Sequence, residues 1–322
     1  MKKVSIIVPV HNAQETLAAL LGNLVHQTLS DIEILLVDDA STDGSAQIME
    51  ACRTQFPDIV RILRSETNVG PGGARNLGLN AAQGAYIGFA DADDMVDTRM
   101  FQMLYEEAQR TGADIVDAGF YDVLRDRAIV FTGDDCTGVL DDQKRSTLIV
   151  SGGYLWSKLY RRSLFEEPAP LRFREGVILE DADLLTCLLA TVHSMANVKE
   201  ILYKYNNREG SASKKEGDPF SYHTNITQAM RAVYDRVHDL PGYEGIRDAV
   251  EYEILQMYSY GINNCVQAGQ QHAVSQQERD RMLAELKDIR MQTVRIRDCR
   301  DNPYVMRKIP EADRRQMREN DR

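Results

Sequence analysis

The sequence predicts an α/β fold, in which a mostly parallel sheet is flanked by helices and is followed by a mainly helical C-terminal region. Three observations predict this fold. Short apolar runs alternate with helical patterns over residues 1–120, which is typical of a parallel sheet covered on both faces. Polar residues follow several of these apolar runs. Residues 220–290 have a helical pattern with tyrosines and methionines on one side, which predicts a second, helical region.

The apolar runs predict strands and the intervening segments predict helices. Strands are expected at residues 4–8, 32–37, 60–63, 86–90, 115–121 and 201–205. Leucines at positions 17, 20, 21 and 24 have the spacing of one helix face. Helices are expected at residues 15–27, 45–55, 71–82, 99–110 and 179–190. The polar stretch 207–219 is rich in Gly and Ser and predicts a mobile loop or a domain boundary.

The composition narrows the classes of partner and location. The chain has 322 residues, of which 43% are hydrophobic, and a formal net charge of −11. This acidic balance argues against nucleic acid as the main partner. The five cysteines form no CxxC pair, and no apolar stretch approaches the roughly 18–20 residues of a membrane span. A cytoplasmic location is therefore expected, and peripheral contact with the inner face of the membrane is left open.

The segment Gly84–Asp94 ends a predicted strand with closely spaced carboxylates. Asp91 and Asp93 are two residues apart, so on an extended chain their side chains point to the same face. Mg²⁺ and Mn²⁺ prefer oxygen ligands and typically take one or two carboxylates together with substrate phosphates. The pair is therefore a candidate metal site. An acidic turn that caps a helix beginning near Asp97 explains the same residues.

Polar residues at the ends of four predicted strands indicate a single crevice. They are His11 and Asn12 after the first strand, Asp38 and Asp39 after the second, Asn68 after the third, and Asp91–Asp94 after the fourth. Ligands of such sheets bind beyond the carboxyl ends of the strands. We therefore expect these side chains to surround one ligand.

The glycine-rich stretch Asn68–Gly78 is neither a dinucleotide fingerprint nor a P-loop. Arg75 stands where the fingerprint requires its third glycine, and the stretch follows the third strand instead of the first. A flexible turn that lets the backbone approach a ligand remains, with Arg75 as a donor to a phosphate or a nucleobase edge. The alternative is an Arg75 that pairs with a nearby aspartate and holds the end of the sheet.

Four ordered motifs resemble the family 2 glycosyltransferases, which are inverting, nucleotide-sugar-dependent enzymes with the GT-A fold. The motifs are Val4–Asn12, Val37–Ser45, Asn68–Gly78 and Phe89–Asp94, and a weaker similarity continues through Trp156–Tyr160 and Leu179–Asp183. We accordingly expect a GT-A catalytic domain over residues 1–215 and a helical region over 216–306. The charged end, residues 307–322, has few apolar side chains and is expected to be disordered.

The resemblance implies roles on the donor side of the site. Pro9, His11 and Asn12 would line the nucleotide pocket, and Asp39 would accept a hydrogen bond from the uracil N–H. Gly70 and Arg75, in the glycine-rich turn, are also assigned to donor binding.

The metal motif and the catalytic base are implied in the same way. Asp93 would bind Mn²⁺ or Mg²⁺ directly, while Asp91 would lie near the metal and the ribose and sugar of the donor. Asp181 matches the catalytic base of the family. The other interpretation of Asp181 is an acidic side chain that complements the dipole at a helix N-terminus.

The predicted function is therefore inverting transfer of a sugar from a nucleoside-diphosphate sugar, with UDP expected, to a glycan or lipid-linked acceptor in cell-surface polysaccharide synthesis. A nucleotidyltransferase is the first alternative, but such enzymes usually open with a basic glycine-rich loop, and the first strand here ends in Pro9–Asn12. The second alternative is a non-catalytic binding protein on the same fold. Trp156, the one tryptophan, could form a platform for an acceptor sugar or anchor the core.

Overall fold

The computed structural model describes residues 2–151, 153–166, 170–206 and 218–322. The chain divides into two compact units. The first unit comprises Met1–Leu140, Gly152–Asp181 and Val192–Arg208, and the second comprises Asp141–Ser151, Ala182–Thr191 and Glu209–Arg322. Most of the predicted polar loop at 207–219 lies outside the described residues.

A ten-stranded sheet forms the centre of the first unit, within the described ranges. Its strands are β1 (Val4–Val10), β2 (Ile32–Asp39), β3 (Val60–Ser65), β4 (Tyr86–Phe89), β5 (Met95–Val96), β6 (Ile115–Asp122), β7 (Arg127–Ile129), β8 (Gly138–Val139), β9 (Lys158–Arg161) and β10 (Ser194–Tyr205). The order is β3-β2-β1-β4-β9-β6-β10-β5, with β7 beside β6 and β8 beside β10. The longer strands pair in parallel, namely β1 with β2 and β4, β2 with β3, and β6 with β10. The prediction of a mostly parallel sheet is confirmed.

The register of the parallel strands sets the position of the polar residues that follow them. Val4 lies opposite both Ile32 of β2 and Tyr86 of β4. The eight residues of β2 are all buried, as expected for a parallel strand covered on both faces. The carboxyl ends of β1, β2 and β4 therefore reach the same edge of the sheet.

Four helices cover the sheet: α1 (Leu17–Val25), α2 (Ser45–Gln55), α3 (Gly70–Ala81) and α4 (Met100–Thr111). The leucines of α1 that predicted a helix face are buried. Helix α3 packs on β1 and β2, and its approach to β1 depends on Gly78. A Cβ at Gly78 would lie 2.4 Å from Cγ2 of Ile7, so a larger residue would push the helix off the sheet.

The second unit is helical in its described residues, as the sequence predicted for residues 220–290. Its helices are α5 (Asp142–Ser151), α6 (Glu180–Thr191, whose first two residues belong to the first unit), α7 (Pro219–Val237), α8 (Tyr243–Gln270), α9 (Gln276–Thr293), α10 (Pro303–Lys308) and α11 (Glu311–Asp321). Helix α8 contacts α5, α7, α9, α10 and α11. No helix in the described ranges combines the length and apolar character that a bilayer crossing requires.

The structure contradicts the predicted disorder of residues 307–322. Helix α11 packs on α8 and α9, and its Met317 is completely buried. Asp321 accepts a hydrogen bond from the Tyr258 hydroxyl at 2.8 Å and pairs with Arg290 at 3.6 Å. The tail is ordered because a few inward-facing side chains find partners on α8 and α9, which the low apolar content of the segment does not reveal.

The compact units also differ from the predicted linear division near residue 215. Helix α5 and all but the first two residues of α6 group with the C-terminal helices. The buried side chains of α5 include Leu148 and Ile149. These apolar residues give α5 a face to bury against α8.

Candidate active site

The polar residues that follow β1, β2 and β3 contact one another. His11 Nδ1 lies 2.7 Å from the backbone oxygen of Asp39. Because a carbonyl oxygen only accepts, Nδ1 carries the hydrogen and Nε2 is left as an acceptor. The side-chain amide of Asn12 lies 3.2 Å from Nε2, and that of Asn68 lies 3.2 Å from both ring nitrogens. This network fixes the orientation of the His11 ring at the edge of the sheet.

Asp38 and Asp39 support the loops on either side of this network. Asp39 is only 2% exposed, and its Oδ1 accepts a hydrogen bond from the Val69 backbone N–H at 2.8 Å. That bond occupies one of its two carboxylate oxygens. Asp38 accepts from the Ser41 backbone N–H at 3.0 Å, next to Ala40, which has a φ of 55°. Asp38 therefore holds the loop at the end of β2.

Asn12 holds the loop after β1 to the loop after β2. It has a φ of 51°, and its Oδ1 accepts a hydrogen bond from the Thr42 backbone N–H at 2.8 Å. Asn tolerates the left-handed conformation better than most residues. Pro9, within β1, is partly exposed. Both residues lie at the edge of the sheet where the sequence predicts the nucleotide pocket.

The glycine-rich turn brings the backbone close to the segment that precedes α6. Gly70 has a φ of 77°, and the neighbouring Val69 carbonyl accepts from the Gly176 N–H at 2.7 Å. A Cβ at Gly72 would lie 2.1 Å from the backbone oxygen of Arg174. Glycine is required there because no side chain fits between the two backbones.

Arg75 is buried in ion pairs and does not point outward as a phosphate ligand. Its Nη2 donates to Asp91 Oδ1 at 2.8 Å, and its Nη1 pairs with Glu180. The guanidinium lies 5.5 Å from the centre of the Phe173 ring. Burial opposes the charge of Arg75, but the carboxylates around it raise its pKa overall. The structure thus favours the alternative in which Arg75 pairs with a nearby aspartate, and donor binding by Arg75 stays an untested prediction.

The metal motif is a tight turn held by the end of β10. The Asp94 N–H donates to the Asp91 carbonyl at 3.1 Å. Asp94 is buried and accepts from the Tyr203 hydroxyl at 2.8 Å and from the Asn206 backbone N–H at 2.7 Å. Burial, followed by the charges of Asp91 and Asp93, raises the pKa of Asp94 to about 8.

Sequence reasoning missed Tyr203 and Asn206. The Tyr203 hydroxyl accepts from the Asp91 N–H at 3.1 Å, and the Asn206 side-chain amide donates to the Asp93 carbonyl at 2.8 Å. The signal that could have identified them is their place at the end of the predicted strand 201–205. This is the same kind of position that identified Asp91 and Asp93.

Asp91 and Asp93 have the chemistry to hold a divalent cation together with a ligand. No group of three or more His, Cys, Asp or Glu side chains in the described ranges is arranged to hold a metal ion alone. Two carboxylates fit Mg²⁺ or Mn²⁺ when phosphate oxygens complete the coordination. Arg75 already engages Asp91 Oδ1, and the direct contact between Asp93 and a cation stays the prediction made from the sequence motif.

Asp181 lies at the start of α6, next to Glu180, and is partly exposed. Leu179, just before the helix, has a φ of 61°, and Arg174 Nη2 donates to its carbonyl at 2.7 Å. Although Asp181 keeps some exposure, desolvation by the surrounding protein raises its pKa to about 7, with a further rise from Glu180 and an opposing effect from Arg75. A carboxylate with a pKa near neutral is suited to accept a proton from a hydroxyl group.

Trp156 belongs to the core and does not form an exposed platform. It is 4% exposed, and its ring stacks on Tyr203 with centroids 4.1 Å apart. Lys158 is 2% exposed and pairs with Asp117 at 3.2 Å. The second interpretation of Trp156, a core anchor, therefore describes the structure.

Comparison with known proteins identifies the family that this sequence resembles. The model of the family described as glycosyl transferase family 2 matches residues 5–167. The chain is 37% identical over 222 residues to the uncharacterized glycosyltransferase EpsJ of Bacillus subtilis, a match that covers 66% of this chain and 63% of EpsJ. It is 30% identical over 227 residues to the glycosyltransferase GlyG of Streptococcus pneumoniae, a match that covers 67% of this chain and 74% of GlyG.

A solved structure shares the fold over nearly the whole chain. The structure of residues 1–349 of S. aureus TarS in complex with UDP superposes with a TM-score of 0.74 at 20% identity, covering 99% of this chain and 88% of that one. This likeness confirms the GT-A type of fold that the sequence motifs implied.

Proposed function

The chain belongs to glycosyl transferase family 2, and we propose that it transfers a sugar from a UDP-sugar to a glycan or lipid-linked acceptor, with inversion, in cell-surface polysaccharide synthesis. One observation carries the proposal. The buried guanidinium of Arg75 links the metal motif to the start of α6, because it pairs with both Asp91 and Glu180. Asp181 follows Glu180 directly. The two carboxylate centres that the reaction needs are thus held next to each other.

The residues after β1 and β2 are suited to bind the nucleotide. Asp39 has one carboxylate oxygen engaged by Val69, and the other is assigned to the uracil N–H. His11, with its orientation fixed by Asn12 and Asn68, would lie against the base. The UDP bound in the TarS structure supports the choice of uridine.

The transfer is a single displacement at the anomeric carbon. Asp181 accepts the proton of the acceptor hydroxyl as its oxygen forms a bond to C1 of the donor sugar. The bond between C1 and the diphosphate oxygen breaks, and UDP leaves with the bonding electron pair. A divalent cation held by Asp93 and Asp91 would supply positive charge to the leaving diphosphate. Inversion follows because attack and departure occur on opposite faces, with no covalent intermediate.

Arg75 contributes by position. It holds Asp91 and Glu180 in fixed places, and its charge opposes the rise in the pKa of Asp181. A general base that was protonated at neutral pH could not act.

The expected cytoplasmic location, with peripheral contact at the inner face of the membrane, stays a prediction.

The nucleotide assignment is tested by measuring melting temperature with UDP, GDP and ADP, each with and without Mn²⁺. A ligand that binds only the native state raises the melting temperature by mass action. We expect UDP with Mn²⁺ to give the largest rise and Asp39→Ala to lose the preference for UDP. A larger rise with ADP than with UDP would rule out the uridine assignment.

A further inference from the structure

Four aromatic rings form a stack next to the metal motif. The stack, called here the aromatic column, consists of Tyr154, Trp156, Tyr203 and Tyr205. Trp156 lies 4.1 Å from Tyr203, 4.7 Å from Tyr154 and 5.2 Å from Tyr205, as centroid distances, with interplanar angles of 14°, 8° and 27°. Trp156 and Tyr203 are buried, whereas Tyr154 and Tyr205 are partly exposed. The column thus has a buried base and two rings that reach solvent.

Hydrogen bonds hold the rings of the aromatic column in place. Lys158 Nζ donates to the Tyr154 carbonyl at 3.0 Å and pairs with the buried Asp117. The Tyr203 hydroxyl bridges Asp94 and the Asp91 N–H. An aromatic surface whose rings are fixed in advance loses little conformational entropy when a ligand stacks on it.

One of the two partly exposed rings lies next to the metal motif. Tyr205 is followed by Asn206, whose side chain donates to the Asp93 carbonyl at 2.8 Å. The pKa of Tyr154 is raised by burial and also by the charges of Asp122 and Asp181, while Arg125 lowers it and hydrogen-bonds its hydroxyl. Tyr205 therefore adjoins the metal motif, and Tyr154 adjoins Tyr205, with ring centroids 5.5 Å apart.

We propose that Tyr154 and Tyr205 form a stacking platform for a pyranose ring of the acceptor, an inference that rests on the proposed function. One face of a pyranose presents C–H groups that pack on an aromatic ring, while its edge carries the hydroxyl groups. A ring seated on this platform would lie beside the metal motif, where the proposed reaction takes place. The platform selects a glycan acceptor over an acyclic polyol, which has no flat face to stack.

The platform is tested by saturation-transfer NMR on the full chain with UDP and Mn²⁺ present. The probes are the methyl pyranosides of glucose, galactose and N-acetylglucosamine, with ribitol as the acyclic control. We expect at least one pyranoside to bind through its C–H face and ribitol to bind more weakly. Equal signals for ribitol and all pyranosides, or no pyranoside binding, would overturn the proposal.

Variants distinguish a loss of stacking from a general loss of folded protein. Tyr154→Leu and Tyr205→Leu are expected to weaken pyranoside binding by about three- to tenfold, while Tyr154→Phe keeps the ring and the binding. Tyr234→Leu is the matched control, because Tyr234 stacks on His238 in the second unit. Pyranoside affinity unchanged in both leucine variants would contradict the platform.

Donor binding distinguishes failure of the platform from failure of the proposed function. If UDP with Mn²⁺ stabilises both leucine variants as it does the wild type, they are folded and the donor site is intact. Unchanged pyranoside binding would then refute the platform alone. If UDP fails to stabilise the wild type, the proposed function fails first.

Discussion

Asp181 carries the chemical step of the proposed reaction at the scale of single residues. Its surroundings have opposing effects on its pKa, because desolvation and Glu180 raise the pKa while Arg75 lowers it. The result, a pKa of about 7, makes the base half-ionised near neutral pH. Proton acceptance is efficient when the pKa of the base lies close to the working pH.

The first prediction concerns the pH dependence of this base. Because only ionised Asp181 accepts a proton, kcat/KM should rise with pH and level off above about 7. The measurement is kcat/KM for UDP-sugar turnover between about pH 5 and pH 9, with melting temperature followed at each pH to exclude unfolding. Full activity at the acidic end of this range would show that Asp181 keeps an ordinary carboxylate pKa or takes no part.

The second prediction concerns Arg75. Arg75→Met leaves the buried Glu180 without its cation, so the free energy of unfolding should fall by about 3–5 kcal/mol. Arg53→Met is the control, since Arg53 pairs with Glu50 on the surface and its loss should cost less than about 1 kcal/mol. Denaturant unfolding measures both. Equal, small effects would mean that Arg75 is exposed in solution and free to bind phosphate.

The residue scale also shows where sequence reasoning stops. Asp91 and Asp93 are identifiable because their spacing and their place after an apolar run have a chemical meaning, and Asp181 is identifiable through its match to the family motif. The pairing of Arg75 with Glu180 is not, because the two residues are 105 positions apart in sequence. Whether Trp156 is buried or exposed depends likewise on residues of β10, a strand that takes its place in the sheet through its pairing with β6.

At the scale of elements, the packing of α3 depends on the absence of side chains. The third prediction is that Gly72→Ala lowers the free energy of unfolding by about 1–3 kcal/mol, because its Cβ would lie 2.1 Å from the Arg174 carbonyl oxygen. The same shift would move Leu179 and Asp181, so turnover should also fall. Denaturant unfolding and a turnover assay measure the two effects.

Gly22→Ala is the matched control for this glycine. Gly22 is exposed within α1, and a Cβ added there would meet nothing within 4 Å beyond its chain neighbours and the nearby backbone of the helix. Alanine at this position should stabilise the protein by roughly 0.5–1 kcal/mol. If both variants behaved alike, the close contact between α3 and the Arg174 backbone would not exist in solution.

Most elements of the first unit follow from periodicity. The predicted strand at 4–8 is Val4–Val10, and the predicted helix at 99–110 is Met100–Thr111. Strand β10 is predictable only at 201–205, because its first half mixes polar and apolar residues without alternation and its register against β6 shifts there. Strand β9 escapes prediction because it contains Lys158 and Arg161, which find partners only in the folded sheet.

At the scale of the whole molecule, the C-terminal tail contributes to stability. The fourth prediction is that Met317→Ala lowers the free energy of unfolding by about 2–5 kcal/mol, because Met317 is fully buried. Met306→Ala is the control, since Met306 is 45% exposed. A chain ending at Met306 should likewise be less stable than the full chain, the reverse of what composition predicts. Equal stability of all these proteins would show that the tail is disordered in solution, as its composition predicts.

The fifth prediction separates the proposed roles of Asp93, which serves cation-dependent donor binding, and Asp181, which serves as the proton acceptor. Asp93→Ala should abolish the Mn²⁺-dependent binding of UDP, because it removes the carboxylate that the motif assigns to direct contact with the cation. Asp181→Asn keeps the shape of the side chain and removes the proton acceptor. It should therefore lower acceptor-dependent turnover by about 10²–10⁴ while UDP affinity changes by less than roughly threefold, or about 1 kcal/mol.

The most direct test is to measure UDP release from UDP-sugars and UDP affinity on the same three proteins: wild type, Asp93→Ala and Asp181→Asn. We expect release by the wild type with Mn²⁺, loss of both release and binding in Asp93→Ala, and loss of release alone in Asp181→Asn. Near-normal turnover in Asp181→Asn, or an unchanged Mn²⁺ response in Asp93→Ala, would contradict the proposed division of roles.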